Sequence, residues 1–101
     1  MLIYNVTVKV LPSIQEEWLN WLQQEHVPEV LATGCFREAR ICRLLEVDDS
    51  EGPTFSIQYR ADTRADYDRY IEEYAAGMRQ KSFNCWGDRF IAFRSLLEVI
   101  N

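Results

Sequence analysis

Arg89 to Ile100 reads as a strand that is apolar on both of its faces. Ile91, Phe93, Leu97 and Val99 point one way, while Phe90, Ala92, Leu96 and Ile100 point the other, because successive side chains of a strand alternate between its sides. A chain of 101 residues is one domain near the commonest size for independent folding, with a core but few layers to spare. Such a strand must therefore be covered twice: once by the chain's own helices, and once by something else.

The rest of the chain supplies the first cover. Residues 2–10 alternate, with Leu2, Tyr4, Val6, Val8 and Val10 on one face and Ile3, Asn5, Thr7 and Lys9 on the other, the period of a strand. Pro12-Ser13 stops it, and Ser13 with Glu16 has the spacing of a capping box. Ile14, Trp18, Trp21 and Leu22 then recur at helical spacing, and the helix is expected from Ser13 to about Thr33. Pro28 should kink or break it, and Gly34 should end it. Phe36–Val47 and Thr54–Ala61 read as a hairpin around Asp48-Asp49-Ser50-Glu51-Gly52-Pro53. Asp62 or Thr63 caps a second helix, on which Tyr67, Tyr70, Ile71, Tyr74 and Met78 make one apolar stripe. Lys81–Asp88 reads as its frayed end or a loop.

The order strand, helix, strand, strand, helix, strand predicts an α+β, ferredoxin-like fold over residues 1–101: a four-stranded antiparallel sheet with both helices on one face. The uncovered sheet face then needs a second copy of the chain, which gives an isologous homodimer through the sheet faces.

Composition narrows the partners. Eleven basic and sixteen acidic residues give a net charge of -5 and a pI near 4.8, which argues against nucleic acid as the main partner. With Lys9 and Lys81 as the only lysines, no polybasic tract exists for an anionic membrane. The N-terminus lacks a basic segment followed by a long apolar one, and no stretch is long and apolar enough to span a membrane, so a cytoplasmic location is expected. Cys35, Cys42 and Cys85 are odd in number and unpaired by spacing, which suits reduced thiols. With one histidine in the chain, no metal site is expected.

Several blocks in order, Ile3-Tyr4-Asn5-Val6-Thr7-Val8, Trp18…Trp21…Glu25-His26-Val27-Pro28, Leu31-Ala32-Thr33-Gly34…Phe36, Ile57-Gln58-Tyr59 and Phe93-Arg94-Ser95-Leu96-Leu97-Glu98-Val99, carry a resemblance. Together they resemble an uncharacterised family of short bacterial proteins, a domain of unknown function covering essentially the whole chain. That family is similar in turn to the dimeric α/β-barrel superfamily, beside antibiotic-biosynthesis monooxygenases, EthD-like proteins and haem-degrading monooxygenases. The resemblance implies the fold and the dimer. Activity does not follow, since the superfamily spans cofactor-independent oxygenases, isomerases and haem enzymes. Haem-degrading relatives place an asparagine on the first strand, where Asn5 matches in face, but they need an axial histidine on the second helix. None stands there, so haem is not expected, and no other cofactor is implied.

His26, the only histidine, borders the core-facing side of the first helix, with Glu29 three residues on, close enough to hydrogen-bond it and raise its pKa. It reads as a general base or substrate anchor, or else as a cap for carbonyls that Pro28 leaves unpaired. Asn5 and Thr7 share a face with Ser56, Gln58 and Arg60. That face either looks toward the helices, lining a cavity with Tyr67, Tyr70 or Tyr74, or lies in a dimer interface or solvent. Arg94 interrupts an apolar strand and needs Glu38, Glu46, a carboxylate of a second chain or a substrate carboxylate as partner. The expectation is a small organic ligand between sheet and helices. Any activity would be that of a cofactor-independent monooxygenase or isomerase, with His26 as base and Asn5, Tyr67 and Arg94 orienting substrate. The alternative is a non-catalytic dimeric binding or regulatory module. An RNA-recognition domain would need Tyr4, Phe55 and Tyr59 exposed on the central strands.

Overall fold

A computed structural model describes all 101 residues. The strands are β1 (Leu2–Val10), β2 (Glu38–Arg43), β3 (Thr54–Ala61) and β4 (Phe90–Glu98), and all neighbours pair antiparallel in the order β2-β3-β1-β4. The two β-α-β crossovers put β1 and β3 at the centre, the ferredoxin-like arrangement expected from the element order. The helices α1 (Gln15–Trp21), α2 (Val27–Ala32), α3 (Arg64–Glu73) and α4 (Ala75–Trp86) supply the other side of the core.

Register decides which face is which. Tyr4 lies opposite Tyr59 and Leu96, and Val8 opposite Phe55 and Ala92. Tyr4, Val8, Phe55, Ile57 and Tyr59 are buried with Ile14, Trp18, Leu22 and Val30, so this parity faces the helices. The aromatics that would have had to be exposed for RNA stacking therefore point into the core. The other parity pairs Asn5 with Gln58 and Ser95, and Thr7 with Ser56 and Phe93, on the open face. The two apolar faces of β4 survive folding as read: Ile91, Phe93 and Leu97 remain 62%, 70% and 44% exposed within the chain.

The first helical run departs from a single regular helix. Pro12–Ile14 is a turn of 3-10 helix, α1 follows, Leu22–His26 is a π-helical turn, and α2 completes the run. Ser13 sits inside the 3-10 turn, so the expected capping box does not form, and no side chain caps either start. Pro28 does not break the run. It falls in the first turn of α2, and just before it the Val27 N–H donates to the Leu22 carbonyl, five residues back. Widening the turn accommodates a residue that has no N–H and would crowd the carbonyl four positions earlier. Gly34, at φ 78°, ends the run as expected.

Three further segments differ from the sequence reading. β2 is shorter than Phe36–Val47, because Cys35 and Phe36 turn into the core and the chain leaves the sheet after Leu44, where Glu46 adopts φ 60°. The second helix is not one straight run: it bends at Tyr74 (φ −124°, ψ −31°), in the middle of the expected apolar stripe. Lys81–Trp86 is helical, closing α4 against the core with the buried Trp86. Thr63 caps α3 as expected, its hydroxyl accepting from the Asp66 N–H at 3.2 Å. No helix is long and apolar enough to cross a membrane.

Candidate functional site

A small cavity of about 60 Å³ lies between the sheet and the helices, several times the ~10–15 Å³ that one water requires. Its floor is the helix-facing parity of the strands: Tyr4, Val6 and Val8 from β1, Ile57 and Tyr59 from β3, and Phe90, Ala92 and Arg94 from β4. Trp18, Trp21, Leu22 and His26 line it from the first helical run, and Tyr70, Met78, Arg79 and Ser82 from α3 and α4. Outside His26 lies a shallow groove that includes Glu25, Glu29, Lys81 and Cys85.

The π-helical turn sets the position of His26. Buried residues step by four along Ile14, Trp18 and Leu22, and a regular helix would put residue 26 next on that line. The extra residue in the turn gives the place to Val27 instead, and leaves His26 half-buried at the cavity's edge. In the widened turn, residues five apart overlie each other. The His26 ring accordingly stacks on Trp21, with centroids 4.7 Å apart and planes 20° from parallel.

The electrostatics of His26 reverse the sequence expectation. Glu29 does raise its pKa, but burial lowers it more, and Lys81 and Arg94 lower it further. Glu29 is engaged in an ion pair with Lys81 and makes no hydrogen bond to His26. The result is an imidazole held below its ordinary value, hence neutral at pH 7 and able to accept a proton.

The tyrosines are pushed the other way. Burial raises Tyr59, and the adjacent Tyr70 and Tyr4 phenols add to the effect. Burial also raises Tyr70, as does Tyr4, against an opposite pull from Arg79 and Arg94. Both remain protonated hydrogen-bond donors at neutral pH. Arg79 and Arg94 bring the charge, and both stand outside the chain's ion pairs, which join Arg37 to Asp62, Arg43 to Asp49, Arg60 to Glu38, Arg64 to Asp68 and Lys81 to Glu29. Glu38, one expected partner of Arg94, is thus taken by Arg60.

Two of the four candidate residues meet at this cavity: His26 and Arg94. Asn5 does not join them. It lies on the open face, where its amide donates to Thr7 Oγ1 at 3.0 Å and its carbonyl accepts from Ser56 Oγ at 2.6 Å. The first of the two open facings is therefore corrected, because Asn5 has the parity opposite to the buried Tyr4. Tyr67 lies half-buried on the far side of Tyr4, its ring centroid 5.7 Å away and covered by Arg64. Tyr70, one turn further along, lines the cavity in its place. Arg79 and Ser82 are not singled out by the sequence: an arginine on a helix is ordinary, and Ser82 lies in the stretch Lys81–Asp88 read as a frayed end or loop. The only signal in the sequence is the absence of proline from Ala75 to Trp86. No group of three or more His, Cys, Asp or Glu is arranged to hold a metal ion.

Comparison with known proteins agrees with this architecture. A family model described as "Domain of unknown function (DUF4286)" matches residues 1–100. No curated protein matches the chain. An EthD-family protein from Bacillus halodurans C-125 superposes with a TM-score of 0.68 at 11% identity, covering 99% of this chain and 100% of its own. A dimeric ferredoxin-like protein from an uncultured marine organism gives 0.69 at 14% identity, over 99% and 96% of the two chains. An antibiotic biosynthesis monooxygenase gives 0.65 at 14% identity, over 100% of each. At these identities the likeness is one of fold, and it matches the resemblance read from the sequence.

Proposed function

The chain belongs to the DUF4286 family, and on that premise we propose that it is a homodimer that binds a small organic molecule in the cavity between sheet and helices, with His26 as a general base. One observation carries the reading: a neutral imidazole stands at the edge of a small cavity lined mainly by apolar and aromatic side chains. Taking a proton from an acidic C–H or O–H of the ligand is the step that an isomerase and a cofactor-independent monooxygenase have in common. Arg94, and Tyr70 in place of Tyr67, would steady the anion so formed. The open sheet face, with Ile91, Phe93 and Leu97 exposed, supports pairing with a second copy.

The test is hydrogen–deuterium exchange at the acidic C–H of one-ring β-dicarbonyl compounds, followed by NMR in deuterated buffer. The protein should accelerate exchange, and His26→Ala should remove roughly a hundredfold of that acceleration. Equal exchange by the variant, or none by the wild type, overturns the base. The stacking of His26 on Trp21 favours one other reading, in which the ring is packing and the protein is a non-catalytic binding module. In that case His26→Ala leaves ligand binding and dimerisation unchanged.

A further inference from the structure

The cavity is unusual in its charge. Sixteen of the chain's 101 residues are acidic, yet none of the sixteen residues lining the cavity is, and two of them are arginines. Arg79 comes from α4 and Arg94 from β4, so two separate elements deliver a guanidinium to one place. Both act on the Tyr70 phenol, and Arg94 also acts on His26, so the four groups share one neighbourhood. Both arginines are solvent-exposed and neither is in an ion pair, so their guanidinium groups are free to pair with an anion that enters the cavity from solvent.

We infer that the ligand is a small aromatic carboxylate, its carboxylate held by Arg79 and Arg94 and its ring against Trp18, Trp21 and Tyr59. The inference rests on the reading of this cavity as a ligand site, and names the chemical class that fits it. A guanidinium presents a planar fork of donors that matches a carboxylate. The neighbouring phenols of Tyr59 and Tyr70 stay protonated and are further donors, which again suits an acceptor-only head group. Twelve of the sixteen lining residues are hydrophobic, so a monoanion is admitted at lower desolvation cost than a phosphate dianion. At about 60 Å³ the cavity is smaller than the ~150 Å³ that encloses a benzene ring. It therefore admits no more than one ring, with the carboxylate outward at the solvent-exposed Arg79 and Arg94.

The experiment titrates the protein with benzoate, benzamide and phenyl phosphate, following tryptophan fluorescence, to which Trp18 and Trp21 at the cavity contribute, and confirming by calorimetry. Benzoate should bind at least about tenfold tighter than benzamide, since a hydrogen bond to a charged group exceeds a neutral one by about that factor. Arg79→Gln and Arg94→Gln should each weaken benzoate by about tenfold and leave benzamide unchanged. Added salt should narrow the gap between the two. Benzamide binding as tightly as benzoate, or phenyl phosphate binding tighter, overturns the carboxylate while the ligand site stands. Arg94→Gln dissociating the dimer without changing benzoate affinity also overturns it, because Arg94 would then serve the interface. Ala92→Phe, which fills the cavity, separates the deeper failure. Binding that survives this change, or no binding by any of the three compounds, overturns the ligand site itself.

Discussion

Replacing Phe93 by aspartate should dissociate the proposed dimer, and the size of the effect follows from the exposed face of β4. Full burial of an Ile, Phe or Leu side chain contributes about 1.5–3 kcal/mol. Ile91, Phe93 and Leu97 retain 62%, 70% and 44% of their exposure within the chain. Covering the three would thus contribute about 3–5 kcal/mol per protomer, and about twice that in an isologous pair, before the cost of association. Phe93 alone accounts for about 1–2 kcal/mol per protomer. Phe93→Asp forfeits this twice and sets two carboxylates into the interface. Its dimer should dissociate with a Kd higher by roughly 10²–10³. Sedimentation equilibrium over a range of protein concentrations measures this directly. Phe83, on α4 and 57% exposed, supplies the control: Phe83→Asp should leave the dimer intact. A monomeric wild type, an unchanged Phe93→Asp dimer, or equal damage from Phe83→Asp would refute the reasoning.

Gly52 sits at φ 123°, and a Cβ there would come within 1.8 Å of the Val10 carbonyl oxygen. Gly52→Ala should cost at least about 2 kcal/mol and lower the melting temperature by about 8 °C or more. Gly77, inside α4 with nothing within 4 Å, should respond oppositely: Gly77→Ala should stabilise by about 0.4–1 kcal/mol in the same thermal unfolding experiment. Thr63→Ala removes the hydroxyl that accepts from the Asp66 N–H, and urea denaturation should show a loss of about 1 kcal/mol. His26 is held below its ordinary pKa by burial and by Lys81 and Arg94, against Glu29. The unfolded chain therefore binds the proton first, and stability should fall as pH drops through about 6.5 toward the folded-state value. Comparing urea denaturation at several pH values for the wild type and His26→Gln isolates this dependence; parallel curves would contradict it.

The parts of the fold set by local chemistry were legible in advance. β1 and β3 were found at their full lengths because alternation and β-branched residues mark a strand without reference to its neighbours. Gly34 and Thr63 ended and began helices as read, because a left-handed residue and a hydroxyl cap act within one turn. Ser13 misled because the same local pattern, serine three before glutamate, occurred where Pro12 starts a 3-10 turn. The site was half legible. His26 was conspicuous as the only histidine, and Arg94 as the most prominent polar residue in an otherwise apolar strand. Arg79 was not, because an arginine on a helix is ordinary until tertiary packing leaves it without an acid beside another arginine.

The sequence by itself determined the element order, the strand faces as two sets of residues, and the need to cover the last strand twice. All three follow from side-chain periodicity, which a strand or helix carries internally. Only the tertiary structure decided which set faces the helices, because parity is symmetric until one face is packed. That choice sent Asn5 to the open face and Arg94 to the cavity. Tertiary structure also decided that Pro28 widens a turn rather than breaking a helix, since core contacts on both sides of it, through Leu22 and Val27 before and Val30 after, hold the run together. The widened turn in turn gave Val27 the core and left His26 at the cavity's edge, beside the positive charge of Arg94.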